Sequence, residues 1–260
     1  MYGFDVLPLW AVFLAQLVGG WVVLEAGYRA GRWRHARTTE EKDAPVSAMV
    51  AAILGLVAFM LAFTFGLAAS RFDAKRQTVL EEANAIGTTY LRTRLLPEPQ
   101  KSETAKLLRD YVDVRVRAVQ EGNIAEAITQ SEKLQELIWQ QAVAAADKDH
   151  GSIMTGLFVQ SLNEMIDVHA KRMLTGLRSR IPITIWFGLF ALSALGICSM
   201  GYQAGLSATS HSPAMMALVV AFAGVLFLIV DLDRGREGFL TVDQTAMTDL
   251  QRSMHTTETP

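Results

Sequence analysis

The chain alternates four long apolar runs with one long amphipathic stretch. The runs, residues 6–24, 46–69, 181–200 and 213–230, approach or exceed the roughly 20 apolar residues that cross a bilayer. Only Gln16 and small residues break the first, and the only side-chain hydroxyls in the second are Ser47 and Thr64. Hydrocarbon offers a backbone amide no partner outside its own segment, so each run predicts a membrane helix. A membrane β-barrel would alternate apolar and polar positions over segments of about ten residues, and no such alternation is present. The first run is read as a retained helix rather than a signal peptide, because residues 1–5 place no positive charge ahead of it.

Residues 71–180 keep a helical period. Phe72, Val79, Ala83, Ile86 and Tyr90 follow one another at spacings of seven, four, three and four. No proline separates them from the second run, so a single helix is predicted over residues 46–96, about 75 Å long at 1.5 Å per residue, and ended by Pro97 and Pro99. Three more helices are predicted, over residues 102–121, 124–147 and 152–180. Leu108, Tyr111, Val112 and Val119 form the stripe of the first, and Gly122 stops it. Asn123 with Glu126 predicts an N-cap and its partner. His150 and Gly151 break the next helix, and the last feeds into the third membrane run with Pro182 near its start. The predicted fold is an all-α integral membrane protein. It has four transmembrane helices and an elongated helical domain continuous with the second and third of them. Its parts are a first helix pair (1–70), the polar domain (71–180), a second helix pair (181–231) and a C-terminal tail (232–260).

Composition sharpens this division. Charged residues make up 19% of the chain, against about 25% in soluble proteins. Residues 71–180 hold 16 of the 24 Lys+Arg and 15 of the 26 Asp+Glu. A net charge of −2 excludes nucleic acid as a partner, since phosphate binding needs a basic face. The single cysteine, Cys198, excludes an internal disulfide and a cysteine-rich metal site and reads as an inert thiol in an apolar run. Charge gives conflicting signals on orientation. Arg29, Arg32, Arg34, Arg37 and Lys42 after the first run would place that loop in the cytoplasm. Arg71, Lys75, Arg76, Lys171, Arg172, Arg178, Arg180, Arg234 and Arg236 lie near the membrane on the other side, nine against five, and favour a cytoplasmic polar domain with cytoplasmic termini. No phosphate-binding glycine loop, nucleophile elbow or zinc-helix signature is present, so neither an enzyme nor a cofactor is expected.

Three stretches carry a resemblance: residues 61–96, LAFTFGLAASRFDAKRQTVLEEANAIGTTYLRTRLL; residues 161–172, SLNEMIDVHAKR; and residues 231–242, DLDRGREGFLTV. Together they resemble the bacterial membrane proteins with a bestrophin-like domain, with Gly235 where proline often follows DLDR in that family. True bestrophins, which the chain resembles more distantly, are oligomeric ion channels. Their second membrane helix narrows the pore with aromatics one turn apart, and an arginine followed by an aromatic lies eight residues beyond. Phe59, Phe63, Arg71 and Phe72 stand at that spacing here. Asp73 replaces a second aromatic, and Gly55 stands where a third bulky neck residue would be. The resemblance implies a homo-oligomer, a pentamer, in the bacterial inner membrane that passes inorganic ions.

Each candidate has two readings. Phe59 and Phe63, with Phe65 nearby, would form an apolar neck if several subunits meet around an axis, or would pack against lipid and neighbouring helices. Gly55, Ala62, Gly66 and Ala69 make a small-residue side that permits close helix packing. Arg71 and Lys75 would give a positive inner mouth favouring anions, diluted by Asp73, or would contact headgroups. Glu81, Glu82 and Asn84, and Asn163, Glu164, Asp167 and Arg172, would form ion-pair networks or line a vestibule. His169 shares a face with Leu162, Ile166 and Met173 and reads as a core histidine. Asp231 and Asp233 stand at a helix C-terminus, where the macrodipole disfavours carboxylates. Arg234 or a bound cation would offset them, though calcium needs more oxygen ligands than these two. The leading function is an oligomeric ion channel. The alternative is a non-conducting membrane-anchored scaffold or sensor that binds a protein partner. A carrier is disfavoured, because the membrane runs show neither an internal repeat nor a charged residue.

Overall fold

A computed structural model of the chain describes residues 7–37, 43–178, 180–207, 212–235 and 238–256. Residues 1–5, Lys42 and Arg236, which entered the readings above, lie outside them. Among the described residues there are eight α-helices and no strand: α1 (Leu9–His35), α2 (Asp43–Arg92), α3 (Gln100–Glu121), α4 (Ile124–Lys148), α5 (Ile153–Met173), α6 (Ile183–Leu206), α7 (Pro213–Arg234) and α8 (Thr245–Thr256). The chain divides into two units, Met1–Phe72 with Arg180–Thr241 and Asp73–Ser179 with Val242–Pro260.

The first unit holds α1, the apolar part of α2, α6 and α7. These four helices are long and apolar enough to cross a membrane. Leu24, Val57, Leu61, Trp186, Leu189, Val219 and Ile229 form its buried core. The tightest seam joins α1 to α6. A Cβ added at Gly27 or Gly31 would lie 2.1 Å from the carbonyl oxygen of Cys198 or Tyr202. One added at Gly201 or Gly205 would lie 2.2 or 2.3 Å from that of Leu24 or Tyr28. Close packing within the chain therefore uses these glycines, while a Cβ at Gly55 or Gly66 on α2 would meet nothing within 4 Å. α1 also runs well past residue 24, so most of the basic residues expected in a loop occupy its last turns. Arg32, Arg34 and His35 there oppose the negative end of the helix dipole.

The helix expected to run unbroken from residue 152 into the third membrane run is interrupted. α5 ends at Met173, Leu174–Arg178 forms a π turn, and α6 starts only at Ile183. Proline disfavours helical backbone in the residue before it. Pro182 sits at the N-cap of α6, and the Ile181 N–H donates to Asp233 Oδ1 at 3.0 Å rather than to a helical carbonyl. α2, by contrast, is continuous, and a 3₁₀ turn over Thr93–Leu95 follows it before the prolines.

The second unit packs the polar part of α2 with α3, α4, α5 and α8 around Ile86, Leu108, Tyr111, Ile138, Phe158, Leu162 and Met165. Val119, expected on the buried stripe of α3, is 47% exposed; Arg115 continues that stripe instead. Gly122 ends α3 at φ 73°, in the left-handed region that glycine adopts without strain. Asn123 makes no side-chain cap to the backbone of α4; its amide donates to the Glu126 carboxylate. α8 forms where only a tail was expected. The Gln244 carbonyl accepts the N–H groups of Met247 and Thr248, and Met247 and Met254 enter the core.

Candidate functional site

The apolar part of α2 presents one face to its own unit and the opposite face outward. Val57, Leu61, Thr64 and Ala68 are buried. Phe59 and Phe63 point the other way, 65% and 59% exposed, with Gly55, Ala62 and Gly66 exposed beside them. Phe65 is less open and Ala69 and Arg71 are half-buried. Thus five of the seven neck and packing candidates named on α2, counting Arg71, share one face. In the second unit, Lys75 is buried, 6% exposed, while Asp73 and Gln77 are exposed.

Beyond the apolar stretch, in the second unit, α2 contributes Glu82 to a buried polar cluster. Its carboxylate is fully buried. Arg115 Nη2 from α3 lies 3.2 Å from Oε1, and Arg172 Nη1 from α5 pairs with Oε2. His169 Nδ1 lies 3.3 Å from Oε1 and 2.9 Å from the Tyr111 hydroxyl, which in turn accepts from Gln135 Nε2 at 3.2 Å. Arg172 Nη2 also donates to Gln244 Oε1 at 2.9 Å, at the start of α8. Burial works to raise the Glu82 pKa. The hydrogen bond from His169 and the charges of Arg172 and Arg115 outweigh it and lower the carboxyl to about 2. Burial, then the Glu82 charge, pushes the Tyr111 phenol up, so it stays protonated. The ion-pair network and the core histidine expected from the sequence meet here at one carboxylate. Tyr111, Arg115, Gln135 and Gln244 were missed. The available signal was Arg115 itself, a charge on the stripe of Leu108, Tyr111 and Val112. Glu81, a neighbour in sequence, makes a separate exposed pair with Lys171 at 2.8 Å.

Asp231, Asp233 and Arg234 are buried at the end of α7. Asp231 Oδ2 accepts the Leu240 N–H at 3.2 Å, Asp233 holds Ile181 and faces Arg180 Nη1 at 3.6 Å, and Arg234 Nη1 donates to the Leu7 carbonyl at 2.8 Å. The cluster thus fastens the ends of α1, α6 and α7 with protein groups. Among the described residues no group of three or more His, Cys, Asp or Glu could hold a metal ion.

A family model described as the bestrophin-like domain matches residues 12–247. The fold also matches solved structures. A bacterial bestrophin homologue from Klebsiella pneumoniae, in one single-substitution variant, superposes with a TM-score of 0.69 at 15% identity, covering 97% of this chain and 99% of the other. Another structure of that homologue gives 0.65 at 16% identity, covering 94% and 96%. A crystal structure described only as a membrane protein gives 0.70 at 15% identity, covering 97% and 99%. No curated protein matches the chain.

Proposed function

The chain belongs to the bestrophin-like domain family, and from that premise we propose that it is an oligomeric ion channel of the bacterial inner membrane, its pore shared between copies and narrowed at Phe59 and Phe63. The outward face of α2 carries the proposal. A helix face turned only to lipid has no need of small residues, yet Gly55, Ala62 and Gly66 flank two exposed phenylalanines on this one. Small residues let helices approach closely, and two aromatic rings one turn apart, about 6 Å along the axis, make a short apolar neck from which water is readily expelled. Arg71 and Lys75 would supply the positive charge that selects anions, although within one copy Arg71 is half-buried and Lys75 buried, and the exposed Asp73 opposes them.

Recording from purified protein in planar bilayers tests the reading. Wild type conducts, and replacing both phenylalanines with alanine wets the neck and raises resting conductance severalfold. If wild type passes no current under any ionic condition, the channel reading fails and the scaffold reading takes its place. If wild type conducts and the double variant is unchanged, the neck assignment fails alone.

A further inference from the structure

α1 carries two opposed faces. On one, Gly27 and Gly31 lie against the backbone of α6, which fixes the rotation of the helix. On the other, at about 100° per residue, Val18 and Val22 are followed by Arg29, Arg32 and Trp33, and Arg37, just past the helix end at His35, reaches back to Trp33. Val18, Val22 and Trp33 are 62%, 59% and 56% exposed, and the three arginines are exposed as well. The Arg37 guanidinium stacks over the Trp33 ring, 4.2 Å from its centroid. Arg29 Nε pairs with Glu25 Oε1 at 2.7 Å, so among the described residues three guanidiniums on this face meet one carboxylate and the balance is positive.

We propose that this face binds a phospholipid with an anionic headgroup, its acyl chain along Val18 and Val22 and its phosphate at Arg32 and Arg37 beside Trp33. The sequence of chemistry along one line decides the partner. A free anion would use the arginines and leave the valines idle. A neutral lipid would use the valines and leave the charge idle. Arg29 lies seven residues beyond Val22, about 10 Å further along the axis, the order in which a lipid presents its tail and then its head. Trp33, level with the arginines, is placed where indole rings settle at membrane surfaces, and basic side chains just outside the apolar core attract anionic lipid. The proposal requires that the chain sit in a bilayer and is independent of whether it conducts.

Native mass spectrometry of the full-length protein, exchanged into mixed micelles of phosphatidylglycerol and phosphatidylcholine, tests it by counting the lipid retained. Wild type retains phosphatidylglycerol in preference. The R32Q/R37Q variant loses that retention by about fivefold for each arginine removed, with phosphatidylcholine unaffected, and R32K/R37K restores it, which separates lost charge from lost fold. R34Q, on the glycine side of the helix, leaves retention as in wild type. Equal retention of the two lipids by wild type overturns the proposal. So does a loss in R34Q as large as in R32Q/R37Q, which would reduce the site to a general surface charge. Displacement of the lipid by inorganic phosphate as complete as by excess phosphatidylglycerol would make it a free-anion site and overturn the lipid assignment.

Discussion

Glu82 shows what one residue can fix in a mostly apolar chain. A buried carboxylate costs several kcal/mol unless it is paired and hydrogen-bonded, and here two guanidiniums and an imidazole converge on it from α3 and α5. E82Q leaves Arg115 and Arg172 without their anion and is expected to destabilise the second unit by about 3–5 kcal/mol, the cost of breaking a buried pair from one side. The pH dependence follows from the depressed pKa. Folding lowers the carboxyl from 4.5 to about 2, so its contribution is complete above 4.5 and is lost as pH falls toward 2. That contribution is about 3 kcal/mol. Thermal unfolding in detergent between pH 5 and pH 2 should show it: wild type loses stability across that window, whereas E82Q, already destabilised, lacks this component. Parallel pH profiles would refute the assignment. Glu82 and Arg172 were legible as members of an ion-pair network, and His169 as a core histidine but not as a partner of Glu82. Arg115 and Tyr111 were not paired with them, because spacing along one helix says which face a residue occupies and not which helix faces it. The same limit applied to Lys75, whose charge is legible in the sequence and whose burial is not.

Elements were more legible than their junctions. α2, α3, α4 and α7 lie close to where apolar period, proline and glycine placed them. The break between α5 and α6 was missed because it depends on a distant residue: Asp233 takes the Ile181 N–H, and a helix that gives up one amide to a side chain beside a proline does not continue. α8 was missed because its apolar content is two methionines, Ala246 and Leu250 among polar residues, too little for a 12-residue segment to declare itself before packing. The α1–α6 seam was missed although both helices carry glycines four apart, the spacing of close membrane packing. This seam yields a prediction at its own scale. At Gly31 an added Cβ would stand 2.1 Å from the Tyr202 carbonyl, so G31L must force two backbones apart, whereas at Gly19 nothing lies within 4 Å. G31L is expected to cost about 3 kcal/mol or more, the upper end of overpacking, and G19L to cost less than about 1 kcal/mol. Melting temperatures of the two purified variants measure the difference, and similar values would show that the seam yields.

For the whole molecule, the open question is what meets the outward face of α2, and a substitution can answer it because the two glycines there are free of contact within one copy. A side chain added at Gly55 or Gly66 meets no atom of its own chain within 4 Å, and leucine is a better helix former than glycine by close to 1 kcal/mol, so G55L/G66L should fold as well as wild type. Lipid would accommodate two leucines without effect. A neighbouring α2 approaching across the small-residue side would not, because the added side chains occupy the volume through which the helices come together. In the proposed assembly the variant therefore falls from an oligomer to a smaller species in mild detergent and loses conductance, while its melting behaviour as a folded chain is kept. Mass photometry or light scattering on the solubilised protein reads the first outcome and bilayer recording the second. The exposed apolar residues of the second unit, Ile153, Met154 and Leu157, supply a contrast. If I153S/M154S disperses the oligomer and G55L/G66L does not, the copies meet through the polar unit and α2 faces lipid. If neither changes the mass of a wild type that is already monomeric, there is no shared axis, and the phenylalanines of α2 line no pore.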